Sequence, residues 1–548
     1  MGAQQSKTAP APVCPTYMSR EVIEIQAAKL EEELGSERGP KKALTTTADR
    51  LSEKSQSPRD SGDDYVVVDG EKAAAAAKLQ RSPEGLALEV TQDWQDQLFE
   101  DPKNRLALYA LSSANPKDVL SSRSAKIADQ QVFNVRIPFE GAPITNQRSS
   151  GRCWLFASTN VFRVALMQKY GLDSFELSQA YLFFWDKLEK ANYFLENIID
   201  TADEDLEGRL VQRLLADPVS DGGQWDMVYN LVEKYGLVPQ VLYPDSWNAM
   251  TSSTINYVVV GKLREFTLVL RNIIAKKPSS SARTAEILKA TKERMMREIH
   301  TILTLTLGPP PASDQVFEWD FLDKDGKAHT VRTTPREFAR DIAATVPGTG
   351  YRISSAGIKK MVSLVHDPRH EPLSLMTVDR LGNVVGGRKI TYINVDMSVL
   401  KAACVRTLKL GVPVFFGCDV GKFSDRRTGI MDLGLIDYGI GFNVDMYAAS
   451  AMDKAGRLRA GESAMTHAMV LTAVHIHEKM GNPVRWRVQN SWGEENGDKG
   501  WFVMSDDWMD QFVYQAVIDP RCLSSEVRDV LKKEPIVLPL WDPMGALA

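Results

Sequence analysis

Five cysteines in 548 residues, Cys14, Cys153, Cys404, Cys418 and Cys522, are too few and too scattered to staple a fold. Their odd number, wide spacing and the absence of an evident signal peptide predict a reducing compartment. No Cys-x-x-Cys or His-x-x-x-His pair occurs, so a structural zinc site is not expected. His475 and His477 alternate on a strand-like run and read as a surface pair. No apolar run approaches the roughly 20 residues of a membrane span. Positive charge is not in excess: the net charge is −5 and the pI about 5.9. That excludes a general basic footprint for nucleic acid, while a local patch stays open. The first residues are not Arg-rich and acid-poor, as a mitochondrial presequence would be.

Apolar residues make up 43% of the chain, enough for a large core and too many for one minimal domain. They are unevenly spread. Residues 1–87 hold Pro10, Pro12, Pro15, a threonine run, a Ser/Asp-rich stretch and an alanine run, with one short amphipathic helix expected over Glu21–Leu34. The rest of that extension cannot bury enough apolar surface to offset the entropy of ordering, so it reads as disordered. Its start, Met1-Gly2-Ala3-Gln4-Gln5-Ser6-Lys7, satisfies the N-myristoylation pattern and makes Gly2 a lipidation candidate. A single acyl chain implies only reversible membrane association.

The most informative stretch is Gln147-Arg-Ser-Ser-Gly-Arg-Cys153-Trp-Leu-Phe-Ala-Ser158. It sets one cysteine after a small-residue turn and at the head of an apolar helical run, with Leu155, Thr159, Phe162 and Leu166 on one side. A helix N-terminus favours thiolate over thiol. Gln147 is placed to offer an amide donor to an oxyanion. The bland alternative is a core cysteine beside Trp154. Two further segments bear on it. His467 opens a small, apolar, strand-like run, and Asn490 ends another, followed by Ser491, Trp492 and Gly493. An Asn beside a His can fix its tautomer and orientation. Trp492 is then expected to shield the pair and border the substrate. A buried histidine and a hairpin turn explain each segment alone, but not the order Cys, His, Asn.

Together these segments resemble the papain-like cysteine peptidases, whose signature Cys-Gly-Ser-Cys-Trp stands here as Ser150-Gly151-Arg152-Cys153-Trp154. Longer stretches, Leu177–Lys187, Asp221-Gly-Gly-Gln-Trp225, Phe416–Lys422 and Leu540–Ala548, resemble the bleomycin hydrolase branch, of fungal type with an N-terminal extension. The resemblance implies an α+β fold with a helical half and a sheet half. It implies Cys153 as nucleophile, His467 as base, Asn490 as its orienter and Gln147 at the oxyanion. Gly222 and Gly223 would line the substrate peptide, although a plain tight turn explains them too. Ala548 would place its carboxylate in the cleft and attract the substrate's free amino group. No cofactor or metal is implied. The implied protein is a homohexameric cytoplasmic aminopeptidase with a mitochondrial pool, acting on peptides with a free N-terminus and on bleomycin and homocysteine thiolactone. Two rivals are an endopeptidase of the same chemistry and an assembly or nucleic-acid-binding protein on a peptidase fold.

Cys153 and His467 lie 314 residues apart, against roughly 130 in typical papains. The peptidase domain would run over 88–548, with an insertion at 258–370 and a tail at 536–548. Residues 258–306 read as a helical pair broken at Pro278–Ser281, and Asp325-Gly326 and Gly382-Asn383 as hairpin turns. Asp323-Lys-Asp-Gly326 lacks the downstream glutamate of a calcium loop, Thr334 standing there, and reads as a turn.

Overall fold

The computed structural model describes residues 85–276, 282–444, 446 and 452–547. Gly2, the helix expected over Glu21–Leu34, Pro278–Ser281 and Ala548 lie outside the described residues. The chain divides into two compact units, one ending at Ser113 and one beginning at Ala114. In the first, helices Leu88–Glu100 and Pro102–Ser113 follow one another and bury no residue fully.

The second unit is α+β, as its sequence implies. Val414–Cys418, His467–Ile476, Trp501–Ser505 and Val513–Ile518 are largely apolar runs, Pro483–Gln489 alternates apolar residues with Arg485 and Arg487, and the five form the middle of a twelve-stranded sheet. His467–Ile476 runs between Pro483–Gln489 and Val414–Cys418, antiparallel to both. This sets His467 opposite Cys418 and in the buried layer.

The Cys153–Tyr170 helix lies on that strand and also packs against helices Gln179–Asp200 and Trp225–Tyr235. Its sequence suggests one buried side. In the structure every residue from Cys153 to Met167 is buried, because sheet and helices cover it from opposite directions. It ends at Gly171, whose φ of +64° suits glycine and whose N–H donates to Met167 O.

The expected helical pair is present as Ser253–Lys276 and Ala282–Leu307, which pack on each other and on Gln179–Asp200. The hairpin Phe317–Leu322/Ala328–Thr333 turns at Asp325-Gly326. Asp323 accepts there from the Asp325 and Lys327 N–H groups at 3.0 and 2.9 Å and pairs with His329, as a turn residue does. Trp319 anchors the hairpin: its ring lies 5.1 Å from Phe175, 5.6 Å from Tyr170 and 5.9 Å from Phe338. Further along, Val362–Val365 enters the large sheet between Val513–Ile518 and Tyr392–Asn394. The end of the 258–370 segment is therefore part of the main core.

Gly382-Asn383 is not a tight hairpin turn. Leu375–Val378 and Tyr392–Asn394 do pair antiparallel, but through a long connection. Asn383 is fully buried in it, donating to Asp186 Oδ1 at 3.1 Å and Met227 O at 3.2 Å. A turn-forming residue type was here selected for a buried polar contact, a distinction that local sequence does not carry.

Trp319→Ala removes the hairpin's one indole from this aromatic cluster. It is expected to cost about 3–5 kcal/mol, read as a lower urea midpoint with the denaturant slope unchanged.

Candidate active site

Gln147 to Cys153 forms a turn closed by its own side chains. Gln147 Nε2 donates to Ser150 O at 2.7 Å, and Ser150 Oγ donates to Gln147 O at 2.7 Å. From the sheet half, Ser491 Oγ donates to Gln147 Oε1 at 2.7 Å, and Gln147 N donates to Ser491 O at 2.8 Å. Only one Nε2 proton is spent on Ser150, and an amide nitrogen carries two. Ser150 occupies the place of the first signature cysteine and receives a bond from Arg152 Nε at 2.8 Å. Arg152 is fully buried. It holds both Asp245 oxygens, at 2.6 and 3.1 Å, and lies over the Phe156 and Phe183 rings.

Cys153 begins its helix and is 2% exposed. The Ala468 N–H and its own and Trp154's N–H groups favour the thiolate, but burial dominates and pushes the thiol up to about 11. His467 is likewise buried, which pushes its imidazole down to about 4 despite the bond to Asn490. The helix-terminus effect expected from sequence is thus present and outweighed. Burial thus penalises a charge on either group alone, a penalty that a thiolate–imidazolium pair, carrying no net charge, does not incur in the same way.

The histidine's tautomer follows from geometry. Asn490 Oδ1 accepts from Ser491 N at 2.8 Å, and a backbone N–H can only donate, so that atom is the amide oxygen. The same oxygen lies 2.9 Å from His467 Nε2, which must therefore carry the proton. Nδ1 keeps its lone pair. Trp492 tilts against the imidazole with centroids 4.8 Å apart, where the expected shield should be.

Beneath the cysteine lies a polar cluster that sequence reading missed. Asp221 is nearly buried and accepts from Gly151 N at 3.0 Å and Asn256 Nδ2 at 2.8 Å, and also from Ser252 Oγ. Its carbonyl accepts from Trp154 Nε1 at 2.7 Å. Burial alone would raise the Asp221 carboxyl, but the Lys187 ammonium, 2.6 Å away, and these bonds hold it well below the usual range. Lys187 also donates to Val219 O at 2.5 Å. Lys190, one helical turn on, donates to Ser220 O at 2.9 Å and Gly222 O at 2.6 Å and pairs with Asp186 at 2.7 Å. Two buried lysines thereby fix the carbonyls leading to Gly222-Gly223. A Cβ on Gly223 would stand 2.5 Å from the Trp154 ring, so only glycine fits. The Lys-x-x-Lys spacing on an apolar helix was the available signal.

The tail returns to this same segment. Ile536–Leu538 pairs parallel with Leu375–Val378. Asp542 then accepts from Arg369 at 2.7 Å, Met544 O from Tyr392 at 3.3 Å, and Ala546 O from Gln224 Nε2 at 2.9 Å. Leu547 and Gly222 border one cavity of about 210 Å³. Among the described residues no group of three or more His, Cys, Asp or Glu could hold a metal ion, and no helix is long and apolar enough to cross a membrane.

Residues 85–545 match the family model described as Peptidase C1-like family. The chain is 42% identical over 477 residues to Cysteine proteinase 1, mitochondrial, of Saccharomyces cerevisiae, covering 86% of this chain and 94% of the yeast protein. It is 41% identical over 473 residues to human Bleomycin hydrolase, covering 85% of this chain and 100% of the human one. The crystal structure of pepW from Lactobacillus rhamnosis superposes with a TM-score of 0.78 at 39% identity, over 85% of this chain and 99% of that one.

Asp221→Ala strands the Lys187 ammonium in the core and is expected to cost about 3–5 kcal/mol. Adding Lys187→Met should recover much of that loss, because the uncompensated charge goes with it. Urea unfolding of the single and double variants measures this. A second expectation concerns acid. The folded-state pKa of His467 lies below its unfolded value, so its contribution is complete above about pH 6.5 and is lost as pH falls toward 4. Across that window wild type should lose up to about 3 kcal/mol relative to His467→Gln, measured as the difference between their unfolding free energies.

Proposed function

The chain belongs to the Peptidase C1-like family and is a cysteine peptidase, and we propose that it removes residues from the free amino ends of peptides with Cys153, His467, Asn490 and Gln147 as its machinery. Substrate brings its scissile carbonyl to Sγ. The thiol proton passes to His467 Nδ1 as the Sγ–C bond forms, so the imidazolium arises together with the oxyanion that balances it and no lone charge is buried. The carbonyl oxygen takes the negative charge, held by the free Gln147 Nε2 proton and the Cys153 N–H. Collapse breaks the C–N bond, and imidazolium protonates the departing amine. Water, deprotonated by His467, then hydrolyses the thioester and returns the proton to sulfur. Asn490 orients the ring throughout, Trp492 keeps water from it, and the Gly222-Gly223 backbone pairs with the peptide. The chemistry requires no cofactor.

The observation that carries the exopeptidase reading is the tail. Ala546 is held by Gln224, the residue next to Gly223, and this supports our placing the tail where a longer substrate would continue. We place the Ala548 carboxylate there, as the partner of the substrate's ammonium in a shielded cleft. An endopeptidase would need that end open. Bleomycin and homocysteine thiolactone, both acyl compounds with a free amine, fit the same rule. We further propose a homohexamer, a cytoplasmic pool beside the mitochondrial one suggested by the yeast relative, and an acylated Gly2 giving reversible membrane contact. Nucleic acid has no support in the net charge of −5.

Cys153→Ala should abolish peptide hydrolysis while leaving assembly intact, and Asn490→Ala should weaken it less, since Asn490 transfers no proton. Steady-state turnover of a free-amine peptide decides both; substantial turnover by the alanine variant at Cys153 would end this reading. Sedimentation at micromolar concentration should give a hexamer, and a monomer would count against it. Intact mass of the native protein should show a myristoyl group; a free or acetylated N-terminus rejects it.

A further inference from the structure

We infer that Gln224 is a specificity-determining positioning residue: its amide fixes the end of the tail and so sets where substrates are measured from. The inference rests on the proposed role of the tail and names the residue that enforces it. Up to Met544 the tail is over-determined. Leu540 and Met544 are buried, at 8% and 3% exposure. Asp542 is tied to Arg369, which also grips the buried Asp367, and it caps the following turn through Met544 N at 2.8 Å. Tyr392 holds Met544 O.

Beyond Gly545 this support stops. Ala546 and Leu547 are only half-buried. Leu547 packs on the core with one side and with the other borders the cavity of about 210 Å³, whose wall includes Lys190, Leu214 and Gly382, so packing holds the backbone there only in part. Ala546 N bonds within the tail, to Pro543 O. Among the described residues, the one hydrogen bond from the body of the protein to Ala546 or Leu547 is Gln224 Nε2 to Ala546 O, at 2.9 Å.

Gln224 is suited to the task. It is 1% exposed, and it is continuous with the Asp221–Gly223 segment that two lysines and Trp154 immobilise. The donor is thus borne on a rigid element, and the distance from the Gly223 backbone to the tail is set by one side chain. The amide is otherwise poorly used: its buried Oε1 has no hydrogen-bond partner among the described residues. Such a group carries a cost. A glutamine kept there for packing alone would be better replaced by an apolar residue, so its donor is the reason for its presence.

Gln224→Leu keeps volume and burial and removes the donor. Three preparations are compared: full-length wild type, full-length Gln224→Leu, and a variant lacking residues 546–548. The readout is kcat/KM on one peptide with a free amino terminus and on its N-acetyl form. Loss of a typical hydrogen bond predicts that Gln224→Leu lowers the free-to-blocked ratio about fivefold or more, partly through faster turnover of the blocked peptide, in the direction of the truncated enzyme. A gain on blocked peptide cannot come from general damage, and covalent labelling of Cys153 by an epoxide thiol inhibitor, expected at the wild-type extent, verifies the fold. If truncation changes the ratio and Gln224→Leu does not, Gln224 is not the fixing residue while the tail reading stands. If neither changes it, both fall. If Gln224→Leu loses epoxide labelling, the donor is tested with Gln224→Glu, which is isosteric and must lower the ratio likewise; an unchanged ratio there overturns the inference.

Discussion

A buried carboxylate with its two lysine neighbours organises everything around it. Asp221 is drawn to Lys187, and because both are out of water the attraction is little screened. That charge also collects the Gly151 N–H, Ser252 and Asn256, while its own carbonyl takes the Trp154 indole. The turn that carries Cys153 and the Gly222-Gly223 segment are thereby two sides of one residue. Lys190 completes the arrangement from the same helix by binding Ser220 and Gly222 carbonyls. None of these groups touches the reacting atoms. They set the separation between Cys153 and the Gly222-Gly223 backbone, the kind of fixed distance that catalysis by proximity depends on.

The sheet half solves a different problem, that of holding an imidazole in one tautomer without a full negative charge beside it. Asn490 does so because Ser491 N saturates and orients its oxygen. A carboxylate there would stabilise imidazolium at rest. A neutral amide leaves the ring free to stay uncharged until sulfur gives up its proton, which matches the direction burial imposes on both groups.

What could be read from sequence divides along this line. Cys153, His467, Asn490 and Gln147 were legible because each carries its chemistry in its residue type and sits in a short motif. The helical pair, the hairpin at Asp325-Gly326 and the sheet half were legible from periodicity and turn residues. The Lys187, Lys190 and Asp186 cluster was not. Charged residues on an apolar helix suggest a solvated edge unless their partners are known, and those partners, Val219 to Gly222, arrive from a separate segment. Asn383 misled for the same reason: its residue type favours turns, while its partner Asp186 is nearly two hundred positions away. The tail's route was suggested by its low polarity, but Gln224 was not singled out, since nothing in Gly-Gly-Gln-Trp marks the glutamine as a donor to the far end of the chain.

Ser150 puts oxygen where the signature has sulfur, three residues before a reactive thiol. Its hydroxyl joins Gln147 to Arg152, and Arg152 is clamped by Asp245 and two rings. The turn is therefore braced by charge and hydrogen bonding, with no covalent crosslink of its own. A reductant has nothing to cut in it, and an oxidant that consumes Cys153 leaves the brace untouched. The reactive position and its support are thus chemically separate: what holds the turn is an amide, a hydroxyl and an ion pair, none of them a thiol.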